Sequence, residues 1–452
     1  MQKTLEIESP VGKCESDTRP QETHPPNHDC ARCNVTADRL RDTAGERTAR
    51  MGEKEEARTP AEEKRITTFQ DQHAVDVTLK GTTYEYKISV KGKDLVLFTT
   101  DASPKGLDEA EQKLAKLVQD KQDELTKTFK VSFSKEGDDV ILQWIEKADC
   151  TWERGPMVKA RPPQLLELHG IEAALYRSQP SQLDTTGQEG VKFHFLKDNY
   201  YKDQPVLAYF VRNDKDGKPS IYFEPGANKN KPATEEDANR FKRHHLFSIE
   251  ALTLHELAHH HQKKMGWYDA ADKEKLSKSI GWIPFVDPKT KETDWLFKGK
   301  QGELYRRGKD HCKDKHVWVK CNTDGEPLDD KDNPVAKFKD AKQYTSNEVT
   351  DKALVPPISY YFVNPVEMFA EGLMMLRLDK TRREELLKKS PVLFEAAKEQ
   401  DQKEINLNFG TNQDGTARHI RNENGLSVEK NAANRELVED FEQGIKKKKD
   451  SK

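Results

Sequence analysis

The segment HELAHHHQ, residues 255–262, brings four histidines and one glutamate into a short stretch of sequence. Its first five residues form the motif HExxH, with His255, Glu256 and His259. On a helix, residues four positions apart lie on the same face, so both imidazoles can bind one metal ion. Glu256 projects about 100° around the helix from His255, where it can meet a metal-bound water. The motif therefore predicts a catalytic zinc site with an open coordination position.

The residues around the motif favour a buried metal-binding helix over the alternative, a histidine-rich surface helix. HExxH arises by chance in roughly one chain in seventy of this length, so the surrounding sequence carries the argument. Apolar residues recur there at helical spacing: Leu246, Ile249, Leu252, Leu254, Leu257 and Ala258. His260 and His261 project about 100° and 200° around the helix from His259. We expect them to lie in solvent or to form hydrogen bonds around the site, without binding the same metal.

A third protein ligand is needed, because two histidines do not complete a catalytic zinc site. The segment SYYFVNPVEMFAEG, residues 359–372, supplies Glu367 and Glu371, which are four positions apart on a predicted apolar helix. Two acids on one face of a half-buried helix are costly unless their charge is neutralised, as zinc and its histidines would do. We assign Glu367 to the metal and expect Glu371 to accept a hydrogen bond from a ligating histidine. The alternative is two exposed carboxylates on an amphipathic helix.

HELAH followed by a helix with the pattern E-x-F-A-E resembles the zincins whose third zinc ligand is a glutamate. It is similar to the catalytic domain family of anthrax lethal factor and related toxin-type metallopeptidases. The resemblance covers residues 200–266 and 357–378 and implies a zincin-like domain: a twisted mixed sheet, an active-site helix and a glutamate helix. It further implies that Tyr360, with Tyr361 as the alternative, helps to stabilise the oxyanion. It also implies that the strand predicted at 220–223 pairs with an extended substrate.

The stretch between His259 and Glu367 is longer than the resemblance implies, so residues 270–350 are expected to be an insertion beside the cleft. Within it, HCKDKHVWVKC offers metal-binding side chains: His311, Cys312, His316 and Cys321. They could hold a second structural zinc or replace Glu367 as the third ligand. One short segment rarely supplies four ligands in the correct geometry, so a hairpin with incidental Cys and His is favoured.

The remaining sequence predicts the elements that position these residues. Strand and helix patterns over residues 67–150 predict a small α+β domain. Residues 153–163 are interpreted as a linker, because a glycine and several prolines interrupt them. A catalytic domain is predicted over 160–400, with a helix at 164–177 and strands at 191–196, 205–211 and 220–223. Residues 270–350 are interpreted as polar and irregular, and helical spacing returns at 364–378. The fold class is therefore predicted to be α+β.

The composition and the ends of the sequence indicate which classes of partner and which cellular compartment to expect. The chain has 452 residues with 76 basic and 79 acidic side chains, which gives no support for a nucleic-acid or membrane partner. Residues 1–66 are predicted to be disordered, and 401–452 to be a partly disordered extension. The CxxC formed by Cys30 and Cys33 is interpreted as a thiol pair in a flexible tail, with a zinc site as the alternative. The chain begins without a signal-like apolar stretch, so a cytoplasmic location is expected, with signal-less secretion left open.

These observations predict a zinc-dependent endopeptidase that acts on a protein or peptide substrate. Zn²⁺ held by His255, His259 and Glu367 would activate a water, and Glu256 would serve as general base. Tyr360 would help to stabilise the oxyanion. Two alternatives remain: a regulatory zincin-fold module that binds a protein without cutting it, and a zinc hydrolase of a non-protein amide.

Overall fold

The structure is a computed structural model that describes most of the chain between residues 59 and 409. The described residues are 59–90, 93–147, 152–178, 190–202, 208–211, 218–225, 247–264, 270–287, 291, 293–309, 316–357, 364–378 and 380–409. The predictions of disorder near the two termini fall largely outside these ranges, as do Cys30 and Cys33.

A helix, a three-stranded meander and a long helix begin the described chain. Their bounds are α1 (Pro60–His73), β1 (Asp76–Lys80), β2 (Thr83–Val90), β3 (Lys93–Asp101) and α2 (Pro104–Phe129). The strands pair antiparallel in the order β1-β2-β3, which confirms that the strand pattern at the start of residues 67–150 forms a sheet. α1 begins inside the stretch expected to be disordered. Thr59 and Glu62 form a capping box there, and Ile66 and Phe69 are buried.

A mixed four-stranded sheet follows, together with a separate hairpin and one helix. The elements are β4 (Ser132–Phe133), β5 (Asp139–Glu146), β6 (Trp152–Lys159), α3 (Leu165–Arg177), β7 (Lys192–Phe195), β8 (Ala208–Val211) and β9 (Ser220–Phe223). The sheet order is β4-β7-β9-β8, with β4, β7 and β9 parallel and β8 antiparallel to β9. β5 and β6 pair with each other, and their Val140 and Val158 pack with Tyr209 and Tyr222 on one face of the sheet.

The linker expected at residues 153–163 is wrong for its first half, which forms β6. Gly155 and Pro156 lie where the register between β5 and β6 shifts, between the pairs Leu142–Met157 and Trp144–Arg154. A bulge of this kind leaves backbone groups outside the ladder, so proline is tolerated in a strand there. The glycine and proline therefore mark an irregularity within a strand instead of a break between domains.

A five-stranded sheet and six helices complete the described part of the fold. The elements are α4 (Phe247–Lys264), α5 (Ala270–Ser279), β10 (Trp282–Val286), β11 (Thr293–Lys298), β12 (Leu304–Lys309), β13 (His316–Cys321), β14 (Gln343–Tyr344), α6 (Ser346–Lys352), α7 (Pro365–Leu378), α8 (Lys380–Lys389) and α9 (Pro391–Phe409). The five strands are antiparallel in the order β10-β11-β12-β13-β14.

The expectation that residues 270–350 are irregular is therefore wrong. Trp282, Phe297 and Trp318 on one face of this five-stranded sheet are at most 1 % exposed and share a core with Met368 and other residues of α7, and Leu296 and Val319 on the other face are also buried. The indole N–H of Trp282 points to the sulfur of Met368 at 3.2 Å. The segment predicted to be an insertion beside the cleft thus forms part of the core behind the glutamate helix.

Helix α4 lies between the core of the four-stranded sheet and the core of the five-stranded sheet. Ile249, Leu252 and Leu257 pack with the buried face of the four-stranded sheet. Leu254 and Ala258 pack with α7 and the five-stranded sheet. The described structure is α+β, as predicted. Within it, no helix combines the length and apolar character needed to cross a membrane.

Candidate metal centre

The histidines lie on a helix that is buried on nearly every side. His255 is 1 % exposed and His259 is 6 % exposed. Close packing against α3 holds this helix in place, because a Cβ added to Gly170 would lie 2.9 Å from Cβ of Ile249 on α4. Contacts that short are essentially never seen between real side chains, so only glycine permits this approach of the two helices.

A buried ionic network connects the two ligand-bearing helices to their neighbours. Arg177 of α3 donates from Nε to Glu250 of α4 at 2.5 Å, and from Nη1 to the carbonyl of Arg377 on α7 at 3.3 Å. The Arg377 guanidinium in turn pairs with Asp401 on α9, with its Nε donating at 2.8 Å. Each charge in the network has an opposite partner, which limits the cost of burial and fixes α4 relative to α7.

Asn364 and Pro365 set the start of α7 and the position of Glu367 within it. Pro365 is the first residue of the helix, and the Asn364 side-chain oxygen accepts a hydrogen bond from the backbone N–H of Glu367 at 2.9 Å. This is the usual arrangement of an asparagine N-cap with proline at the first helical position. Glu367 therefore lies in the first turn of α7, where the helix dipole favours a negative charge.

The structure brings His255, His259 and Glu367 together although α4 and α7 are far apart in sequence. The two Nε2 atoms are 3.2 Å apart. Nε2 of His255 lies 3.0 Å from Oε2 of Glu367, and Nε2 of His259 lies 3.4 Å from Oε1. Of the described residues, only these three form a group of at least three potential ligands close enough to share one metal ion.

The outer nitrogens of the two rings face hydrogen-bond acceptors. Nδ1 of His255 lies 3.3 Å from Oε2 of Glu371, and Nδ1 of His259 lies 3.2 Å from Oε1 of Gln262. The amide oxygen of Gln262 only accepts, so Nδ1 of His259 is assigned as an N–H. At His255 the approach of Glu371 is an ion-pair distance. Nε2 of each ring faces Glu367, with which it can share a proton in the absence of a metal. Glu371 thus lies beside His255, and a hydrogen bond between them stays a prediction.

The electrostatics of the cluster favour positive charge between its members. Burial disfavours a charged Glu367, but His259 and the hydrogen bonds to both imidazoles outweigh it and hold the pKa of Glu367 well below its usual range. Burial likewise opposes charge on His259, yet the facing Glu367 carboxylate raises the pKa of His259 above its ordinary value. Glu367 is therefore ionised and able to bind a cation.

The other predicted site residues have different outcomes. Glu256 is buried, at 1 % exposed, and its charge helps to raise the pKa of His259, so it lies close to that ring. Tyr360 and Tyr361 lie outside the described residues. His260 and His261 are each 2 % exposed, so of the two expectations for them exposure to solvent is wrong and hydrogen bonding around the site stays a prediction. The His260 ring packs 5.7 Å from the ring of Phe210 on β8.

The expectation that the strand at 220–223 receives the substrate is wrong. This strand is β9, which pairs with β7 on one side and with β8 on the other, so both of its edges are occupied. The edge strand on that side of the described sheet is β8. The hairpin expected around HCKDKHVWVKC is present as β12 and β13, while His311 and Cys312 lie outside the described residues. Burial raises the pKa of Cys321 to about 12, and the thiol belongs to no group of potential metal ligands among the described residues.

Sequence reasoning missed Gln262 and Asn364 as parts of the site. Gln262 lies three positions after His259, on the helix face that carries both histidines, and this spacing was a usable signal. Asn364 followed by Pro365 is a recognisable helix start, and it places Glu367 at the third helical position.

Comparison of the chain with known protein families, with curated protein sequences and with solved structures finds no match.

Proposed function

We propose that this protein is a zinc-dependent endopeptidase with a zincin-like catalytic domain. The observation that carries the proposal is the convergence of three electron-pair donors: Nε2 of His255, Nε2 of His259 and a carboxylate oxygen of Glu367. Protons shared with Glu367 stabilise this cluster in the absence of a metal, because the three groups otherwise repel one another. A proton relieves one such contact, whereas a divalent cation relieves all three at once.

The donor set fits zinc in type and in spacing. Two imidazoles and one carboxylate are a recurrent ligand set of catalytic zinc, which keeps a fourth position for water or substrate. Bonds of about 2.0–2.2 Å in tetrahedral geometry place ligand atoms roughly 3.4 Å apart. The separations here are 3.0, 3.2 and 3.4 Å. The site therefore needs little rearrangement to accept the ion.

The chemistry that follows assigns one role to each side chain. Zinc, when bound, supplies a water that is acidic near neutral pH and a positive charge that polarises the scissile carbonyl. Glu256 accepts the proton from that water and passes it to the nitrogen of the leaving amine. Glu371 and Gln262 hold the two imidazoles in the tautomer that leaves Nε2 free. Tyr360 is proposed, from the resemblance, to donate a hydrogen bond to the oxyanion.

The edge strand β8 is the surface on which we propose that an extended peptide binds. Within the described residues, β8 has a strand partner on one side only, and Phe210 contacts His260 of the metal-binding helix. A peptide added to this edge would form backbone hydrogen bonds next to α4. A peptide with N-methylated amides should therefore be cut much more slowly than its unmethylated equivalent. Equal rates would exclude strand addition.

Replacing the proposed general base tests the function directly. Purified wild-type protein and the Glu256→Gln variant are compared for zinc content and for cleavage of a mixed proteome with N-terminal labelling. Glu224→Gln, the same change at a buried glutamate near the four-stranded sheet, is the matched control. We expect equal zinc in all three proteins, cleavage by the wild type and the control, and a rate at least about 100-fold lower for Glu256→Gln.

Each other outcome favours a different alternative. Zinc binding without any cleavage by the wild type would exclude the peptidase and support a binding module. Hydrolysis of small amides without cleavage of proteins would indicate a zinc hydrolase of non-protein substrates. A wild-type protein that binds no zinc would exclude both the enzyme and the zinc-dependent module.

A further inference from the structure

We infer that Gln262 is a positioning residue that sets the tautomer of His259 and connects this ligand to the helix that carries Glu367. The inference rests on the proposed metal site and deepens it. Gln262 is three positions after His259 and seven after His255, so all three side chains lie on one face of α4. This face is directed at α7, and the Gln262 side chain is fully buried.

The orientation of the Gln262 amide follows from the chemistry of its two neighbours. One end of the amide lies 2.9 Å from the backbone carbonyl of Val366, which can only accept a hydrogen bond. That end must therefore be the NH₂ group. The opposite end, Oε1, is then the atom that faces Nδ1 of His259 at 3.2 Å. Because Oε1 only accepts, Nδ1 of His259 carries a proton, and Nε2 is left as the nitrogen that can bind a metal.

One amide therefore prepares two of the three proposed ligands. Its oxygen selects the His259 tautomer that can bind a metal, since the other tautomer would direct an N–H at the metal position. Its NH₂ group holds the carbonyl of Val366, the residue immediately before Glu367. A shift of α7 relative to α4 would break this hydrogen bond, so the position of the carboxylate is coupled to the state of the imidazole.

His255 provides an instructive contrast, because its Nδ1 lies 3.3 Å from a carboxylate oxygen of Glu371, on α7 itself. Both ligating histidines are thus oriented by groups that belong to or bind α7, one through an ion and one through a neutral amide. The site already contains three acids, Glu256, Glu367 and Glu371. A neutral amide therefore costs less to bury there than a further carboxylate would.

Three variants separate positioning from simple packing. Gln262→Leu removes both hydrogen bonds, and we expect the zinc dissociation constant to rise about 10–100-fold. Gln262→Glu keeps an acceptor for Nδ1 and weakens the contact with Val366, so zinc affinity should stay within a few-fold of the wild type while the melting temperature falls. Gln143→Leu is the control, because Gln143 also donates its amide to a backbone carbonyl, that of Asn199 at 2.8 Å. It should lower stability without changing zinc affinity.

Zinc affinity is measured by chelator competition, and the His259 tautomer by ¹⁵N NMR of the imidazole in the metal-free protein. The wild type and Gln262→Glu should show the proton on Nδ1, and Gln262→Leu should show a shift of the proton to Nε2. Wild-type zinc affinity in Gln262→Leu, or an equal loss in Gln262→Glu and Gln262→Leu, would overturn the inference. If the wild type binds no zinc, the proposed function fails, and the NMR of the metal-free protein still decides the role of Gln262. If Gln262→Leu does not fold, the wild-type and Gln262→Glu tautomers decide it.

Discussion

Two buried glutamates in this protein are held in opposite charge states. Glu224 follows β9 and is fully buried beneath the β5–β6 hairpin, and both of its carboxyl oxygens lie within hydrogen-bond distance of the backbone N–H of Tyr200, at 2.9 and 3.1 Å. Burial raises the pKa of Glu224 to about 8 despite that hydrogen bond. Glu367 is also well buried, yet the two imidazoles hold its pKa well below the usual range.

The comparison shows that burial of an acid does not by itself indicate a metal site. Glu224 has tyrosines as neighbours, among them Tyr200 and Tyr209, and its burial is accommodated by keeping the proton. Glu367 faces two imidazoles that form hydrogen bonds with it, and its charge is retained. The partners of the acid decide whether it can bind a cation, and only the second arrangement is suited to do so.

The largest expected effect is on zinc affinity, when the charge of Glu367 is removed and the same substitution is made at Glu224 for comparison. Glu367→Gln should weaken zinc binding by about three orders of magnitude, since loss of a ligand costs more than the roughly 10–100-fold that follows loss of a residue supporting one. Glu224→Gln should bind zinc like the wild type. Isothermal titration with zinc measures both. Equal affinities in Glu367→Gln and the wild type would remove the distinction between the two acids.

The pH dependence of the unfolding free energy should reveal the raised pKa of Glu224. Its folded-state pKa of about 8 exceeds the ordinary value of 4.5, so its stabilising contribution is complete below pH 4.5 and is lost as the pH rises to about 8. Over that interval the wild type should lose on the order of 5 kcal/mol of unfolding free energy relative to Glu224→Gln. Urea unfolding at several pH values measures the difference. Parallel pH profiles for the two proteins would contradict a raised pKa.

A smaller effect is expected at Glu371, which supports a ligand without being assigned as one. Glu371→Gln retains an acceptor for Nδ1 of His255 but removes the negative charge, so zinc affinity should fall about tenfold, at the lower end of the range for such partners. The same substitution at Glu395, an exposed residue of α9, should have no effect on zinc binding. Chelator competition measures both variants. A loss as large as that of Glu367→Gln would show that Glu371 binds the metal itself.

The sequence predicts the ligands better than it predicts the framework around them. His255 and His259 follow from helical geometry, and Glu367 follows from the cost of placing two acids on one apolar helix. The five-stranded sheet was missed because its short strands are separated by many charged residues and because consecutive residues, such as Leu296 and Phe297, are both buried, which removes the alternation of a strand with one exposed face. β6 was missed because a register shift accommodates Pro156. The spacing of Gln262 from His259 could have predicted their contact, but the hydrogen bond of Gln262 to Val366 requires knowledge of where α7 lies.

The ionic network has a consequence for biosynthesis. His255 and Glu367 are 112 residues apart, and the helix that bears Glu367 is itself anchored through Arg377 to Asp401. During translation the histidines emerge from the ribosome long before the groups that complete and secure their site. The nascent chain therefore cannot secure the proposed metal centre until synthesis has passed Asp401 of α9, when nearly the whole described chain has been made.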